Sequence, residues 1–167
     1  HPGIEANDVW GYTDENNNEY AIVGTTDGTA IVDVTDPGNP VEIFWEPGLS
    51  SPWRDIKVNG DYAYVTTEAE NGLLIIDMSP LPSGTNLVTS YYYGTPGTNE
   101  WSSAHNIWID ENDRAYIFGA NGSNNGVIIL DISSPMSPVE IGGFDDWYAH
   151  DGFVRNDIGY FAHINDG

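Results

Sequence analysis

Apolar and polar positions along this chain fall into short runs, and the runs recur in a fixed order. A strand opening on a polar pair leads into a polar turn and an aromatic-rich strand. A second turn and a run of consecutive apolar residues ending in Asp then follow. The opening pairs are Asn7-Asp8, Arg54-Asp55, His105-Asn106 and His150-Asp151, and the apolar runs are TAIVDV at 29–34, LLIIDM at 73–78 and VIILDI at 127–132. Measured at Asp8, Asp55, Asn106 and Asp151, the intervals are 47, 51 and 45 residues, the spacing of four-stranded propeller blades. The pattern predicts an all-β chain, a β-propeller of four-stranded antiparallel blades with about three and a half blades present.

The first blade is expected over about 7–44, as NDVWGYT, the turn DENNN, EYAIVGT, the turn TDG, TAIVDV and an outer strand VEIF. The second, 54–93, reads RDIKV, NGD, YAYVTT, AENG, LLIIDM and an outer strand near LVTSYYY; the third, 104–143, reads HNIWI, DENDR, AYIFGA, NGSNNG, VIILDI and VEIGGF. The fourth, 149–167, offers HDGFV, RND, IGYFAHI and NDG. Continuous apolar third strands suit strands covered on both faces, as expected for blades packed between neighbours. No segment has a sustained 3.6-residue apolar period, and Gly and Pro interrupt the chain too often for long helices. Asp33, Asp77 and Asp131, each ending a third strand just before Thr or Ser or a Pro, read as acceptors that close turns.

Charge narrows the partners. Twenty-six acidic residues against four basic ones give a net charge of −22, which repels phosphate backbones and anionic lipid surfaces. Nucleic acid and direct membrane insertion are therefore not expected, and no stretch reaches the roughly 20 apolar residues a spanning helix needs. The same acidity suits solubility in a salty exterior or the binding of divalent cations. The chain has no cysteine, so neither disulfides nor thiolate metal sites are available, and its Asn, Thr, Tyr and Gly content suits an extracellular β protein.

The runs AIVDVTDPGNPVEI, LLIIDMSP and VIILDISSPMSPVEI resemble LVIVD repeats. Together with NDVWGYTDENNNEYAIVGTTDGTAIVDVTDPGNP, WRDIKV, SAHNI and YAHDG, they make the chain similar to the N-terminal part of choice-of-anchor B family proteins. That resemblance implies a secreted bacterial propeller with a variable C-terminal sorting or anchoring region, in many members a cargo of type IX secretion. It implies no established catalytic activity. A native polypeptide longer than 167 residues is the corresponding expectation.

If the opening strands line a central channel, Asn7, Asp8, Arg54, Asp55, His105, Asn106, His150 and Asp151 gather at one rim, with His163 near them. Two readings fit. Such side chains can hydrogen-bond adjacent strands and knit blades together. Alternatively, imidazole and carboxylate groups from His105, His150 and Asp151 can hold a divalent cation such as calcium or zinc. Arg54 opposes a cation at its own position. The functional alternatives are a surface binding or adhesion module for protein or glycan, an exported cargo in complex with secretion machinery or an outer-membrane carrier, and a metal-dependent, hydrolase-like enzyme using His105, His150, Asp8, Asp55 and Asp151.

Trp45, Trp101, Trp147 and Tyr92, with Tyr91 and Tyr93, fall in or beside inter-blade connections and are candidate surfaces for stacking sugars or gripping a partner. Packing between blades uses the same aromatics, and Trp10, Trp53 and Trp108 are expected in the core. Asp14, Asn16 and Asn18 imitate the start of a calcium loop, but Glu19 and Thr25 stand where its glycine and closing acid belong; a hairpin turn is expected, as at Asp110, Asn112 and Arg114. Asn121-Gly122-Ser123 fits a glycosylation sequon and equally a turn. No phosphate loop or nucleophile elbow is present.

Overall fold

The computed structural model describes residue 1, residues 3–122 and residues 126–164. The third residue of the sequon and the terminal NDG of the fourth repeat lie outside the described residues. Among those described, every regular element is a strand.

Three four-stranded antiparallel sheets follow one another, each ordered as its strands occur in the chain. The first contains β1 (Ala6–Thr13), β2 (Glu19–Thr25), β3 (Gly28–Asp33) and β4 (Val41–Pro47). The second contains β5 (Arg54–Asn59), β6 (Tyr62–Thr67), β7 (Leu73–Asp77) and β8 (Val88–Tyr92). A two-stranded pair not anticipated from the sequence, β9 (Gly94–Thr95) with β10 (Asn99–Glu100), leads into the third sheet. That sheet contains β11 (Asn106–Ile109), β12 (Arg114–Phe118), β13 (Val127–Asp131) and β14 (Val139–Phe144). β15 (Asp151–Arg155) pairs with β16 (Ile158–Ala162) as the first two strands of a fourth unit.

Why these segments fold so is visible in the turns. Asp14 accepts the N–H groups of Asn16 and Asn18 on one oxygen, and the Asn18 amide and Tyr20 hydroxyl on the other. Asp110 repeats the arrangement with Asn112 and Arg114 N–H groups, the Arg114 side chain and Tyr116. The calcium-like spacing is thus a turn whose carboxylate is occupied by protein donors. Asp33, Asp77 and Asp131 each accept the N–H two residues on, from Thr35, Ser79 and Ser133, which bends the chain out of the third strand.

Each of the three sheets packs one face forward on the unit that follows, and the second and third sheets pack the other face back on the sheet before. Between the first and second sheets, Tyr12, Tyr20, Ile22 and Ile31 meet Ile56, Ala63, Val65, Leu74 and Ile76. Between the second and third, Tyr64 and Ile75 meet Ile107, Ala115, Ile117, Ile128 and Leu130. Phe118 and Val127 then meet Val154, with Phe144 and Phe161 against them. Each fully buried aliphatic side chain contributes about 1.5–3 kcal/mol, so the junctions between sheets, rather than any one sheet, hold the fold.

Candidate functional site

Strand alternation sends neighbouring residues to opposite faces, and this divides the polar pairs that were expected to share one rim. The second member of a pair reaches forward. Asp8 accepts the Ile56 N–H at 2.9 Å, and Asp55 accepts the Ile107 N–H at 2.9 Å. These N–H groups lie on the open edge of the first strand of a sheet, and a carboxylate from the preceding sheet satisfies them. Asn106 and Asp151 instead turn to the N–H groups of Ile107 and Gly152 beside them.

The first member of a pair, from the second sheet onward, reaches back. Arg54 is buried, and its guanidinium donates to the backbone carbonyls of Thr25, Thr26 and Leu49 in and after the first sheet. Burial lowers its pKa. The ring of His105 lies against Glu68, with Nδ1 2.7 Å from Oε1, and its centroid is 4.1 Å from that of His150. Asn7 sits at a bulge in β1 and donates to the Pro52 carbonyl at 2.9 Å. His163 Nδ1 lies 2.6 Å from the Tyr148 carbonyl. Among the described residues no three His, Cys, Asp or Glu side chains, His105, His150 and Asp151 included, are gathered as a set that could hold a metal ion.

The forward-facing residues border a cleft of about 510 Å³, lined by Trp10, Asp55, Lys57, Asn106, Trp108, Asp151, Gly152, Phe153, Tyr160 and Ala162. Two residues after each forward-facing acid or amide stand Trp10, Lys57, Trp108 and Phe153. Lys57 Nζ lies 4.5 Å from the Trp10 ring centroid and 3.0 Å from each Asp55 oxygen. Burial raises the Asp55 pKa, with Lys57 and the Ile107 N–H opposing the rise. Trp108 donates its indole N–H to the Val154 carbonyl at 3.0 Å, with its ring 4.7 Å from that of Phe153. The cleft therefore offers aromatic surface, carboxylate and amide acceptors, and one ammonium already neutralised by the protein.

Sequence reasoning missed this lining by assigning the inner-strand tryptophans to the core. Trp10 is 37% exposed and lines the cleft, Trp53 is 52% exposed outside it, and Trp108 both lines the cleft and packs against the third apolar cluster. The signal was present, because the two-residue step from each polar pair fixes which side chains share its face. The connection aromatics are also redistributed. Trp101 is buried at 3% exposure, with its indole N–H lacking a partner, and Trp45 lies half-buried in β4, stacked on the His1 ring. Tyr91 and Tyr92 belong to β8, whereas Trp147 is exposed in a connection as expected.

The LVIVD repeat model matches residues 15–45, 53–92 and 102–146, well over half of the chain. This chain belongs to the LVIVD repeat family. The first matched segment takes in the second and third strands and most of the fourth strand of its sheet, and the other two take in all four strands of theirs, so the family signal follows the structural unit. No curated protein matches the chain.

Proposed function

We propose that this LVIVD repeat chain is a ligand-binding module of a β-propeller, using the cleft along its innermost strands to hold a protein segment or a glycan. The observation that carries the reading is the cleft itself: about 510 Å³, with Trp10 and Trp108 beside Asp55, Asn106 and Asp151. That volume lies within the roughly 300–1,000 Å³ of small-ligand sites. Aromatic surface beside acceptors suits the C–H faces and hydroxyls of sugars, or an apolar side chain flanked by donors. The net charge of −22 disfavours sulfated or uronic ligands through long-range repulsion.

The ordered repeats and flanking blocks similar to choice-of-anchor B proteins support placing this module outside the bacterial cell, at its surface, as exported cargo, with type IX secretion as the route. A metal-dependent hydrolase is the weaker reading, since His105 and His150 reach back to Glu68 and each other while Asp55 and Asp151 border the cleft. Tryptophan fluorescence titration against neutral, aminated and sulfated oligosaccharides and short peptides tests the binding role. A neutral or cationic ligand should quench emission, and Trp10→Ala should weaken its binding tenfold or more. Binding confined to sulfated ligands, or unchanged in Trp10→Ala, would remove the cleft from the function.

A further inference from the structure

Away from the cleft, the connection between the second and third sheets encloses a pocket of about 340 Å³, bordered by Tyr93, Pro96, Glu100, Trp101, Ser102 and Asn121. Complete four-stranded sheets flank it on both sides in the chain. Hydrogen bonds fix its walls. β9 and β10 pair Gly94 with Glu100, and the Trp101 backbone N–H donates to the Tyr93 carbonyl at 3.0 Å. Asn121 Oδ1 accepts the N–H groups of Ser102 and Ser103 at 2.9 and 3.2 Å, and its amide nitrogen donates to Ser102 Oγ at 3.2 Å. Gly72 donates its N–H to the Ser102 carbonyl and makes room for Tyr93, since a β-carbon on Gly72 would stand 2.9 Å from the Tyr93 ring. The pyrrole edge of Trp101 lies against Gly94, where a β-carbon would stand 2.7 Å from Cδ1. That indole is 3% exposed, and its N–H has no hydrogen-bond partner among the described residues.

We propose that this pocket takes the guanidinium of an arginine on a partner peptide, as a second binding site separate from the cleft. Charge selects a cation. Glu100 is the one carboxylate bordering the pocket, and none of the chain's four basic residues borders it. The net charge of −22 draws cations toward the surface as a whole. Glu100 Oε1 accepts the Gly97 N–H at 2.9 Å, which holds the carboxylate in place and leaves Oε2 without a donor among the described residues. A carboxylate fixed in this way keeps acceptor sites for the paired N–H groups of a guanidinium. Tyr93, 46% exposed, adds a ring on which the guanidinium or its methylene stem can lie. Gly72 along one edge and Tyr91, stacked at 6.5 Å between centroids, set the orientation of that ring. The chain already joins a cation, an aromatic ring and a carboxylate once, where Lys57 meets Trp10 and Asp55. Arginine suits the pocket better than lysine, because its planar fork matches both a ring face and a carboxylate, whereas an ammonium is a compact, strongly hydrated charge. A volume of about 340 Å³ is small among ligand sites, which fits one side chain with its neighbouring backbone rather than a folded surface.

Proton–nitrogen NMR of the whole chain tests this, because each of the six tryptophans gives its own indole N–H signal and sequential assignment picks out that of Trp101. The probes are end-blocked Gly-Arg-Gly, Gly-Lys-Gly and Gly-Gln-Gly peptides and a neutral oligosaccharide. The arginine peptide should shift the Trp101 signal to saturation below about 10 mM and bind more tightly than the lysine peptide, while the glutamine peptide and the sugar leave the signal in place. Glu100→Gln keeps an oxygen for the Gly97 N–H but removes the charge, and should weaken arginine binding about tenfold or more. Tyr93→Leu should weaken it severalfold, and Trp10→Ala, in the cleft, should leave it unchanged. An unmoved Trp101 signal, an equal response to the lysine or glutamine peptide, or undiminished binding in folded Glu100→Gln or Tyr93→Leu chains would overturn the proposal. Loss of binding in Trp10→Ala would place the arginine in the cleft instead, and a response to the sugar alone would make the pocket a glycan site; either result also overturns it.

Discussion

Replacing Ile56 and Val9 separately by Ala measures what a sheet junction contributes. The two residues occupy the same repeat position, but Ile56 is completely buried between the first and second sheets and Val9 is 59% exposed. Ile56→Ala removes three carbon groups at ~0.8 kcal/mol each, about 2.4 kcal/mol before any cavity forms. The hole is walled by strands of two sheets whose backbones are pinned by the Asp8 to Ile56 N–H bond, so little collapse is expected. A cavity contribution brings the loss to about 3–4 kcal/mol, within the measured range for such truncations. Val9→Ala removes two carbon groups already in contact with water and should cost less than about 0.5 kcal/mol.

Urea unfolding gives both values from midpoint shifts at constant slope. Ile56→Ala should lower the midpoint substantially, since about 3–4 kcal/mol is a large fraction of a typical total of 5–15 kcal/mol. Equal shifts for the two variants would refute the assignment of forward and backward faces on which the stacking of the sheets rests.

Acid should unfold the chain through its turn carboxylates. Burial raises the pKa values of Asp14 and Asp110, but hydrogen bonds from Asn18, Asn16 and Tyr20 to the first, and from Arg114, Asn112 and Tyr116 to the second, outweigh it and hold both below the usual value. Their stabilisation is fully present above the unfolded pKa near 4 and is lost as pH falls through the lower folded pKa; Asp55, raised by burial, opposes the trend. The doubly substituted Asp14→Asn, Asp110→Asn chain should show a shallower decline in thermal midpoint below about pH 4, and an unchanged slope would assign acid sensitivity elsewhere. Arg54→Lys should cost about 2–4 kcal/mol by chemical denaturation, because one ammonium replaces a planar fork serving three buried-side carbonyls. A loss below about 0.5 kcal/mol would show that water readily takes over those carbonyls.

Much of the strand order was legible because each unit carries its own punctuation. The turn residues around Asp14 and Asp110 and the Asp endings of third strands mark where direction changes, and the consecutive apolar runs mark strands covered on both sides. The candidate site was less legible. Adjacent polar residues were assigned to one rim, yet the two-residue alternation that makes a strand also separates Arg54 from Asp55 and His105 from Asn106. Burial of tryptophan was equally hard to foresee: Trp10 and Trp101 have the same side chain, but one faces the cleft and the other lies beneath the close backbone passage of Gly94 and Gly122. Only the packing of one unit on the next distinguishes them.

Gly152 shows how one repeat position answers to two demands. Its counterparts Val9, Ile56 and Ile107 are β-branched, as suits a strand that packs backward on a sheet. A β-carbon on Gly152 would stand 2.7 Å from the Phe118 ring and 2.8 Å from Phe161, because Phe118, fully buried, already fills the space a branched residue takes at the earlier junctions. The bulk has moved across the junction, from the backward face of the fourth unit to the forward face of the third, while the volume packed between sheets is maintained. This exchange explains how units with different residues can keep one stacking geometry. It also means that the partner of an LVIVD sheet is specified by its neighbour's side chains as much as by its own repeat.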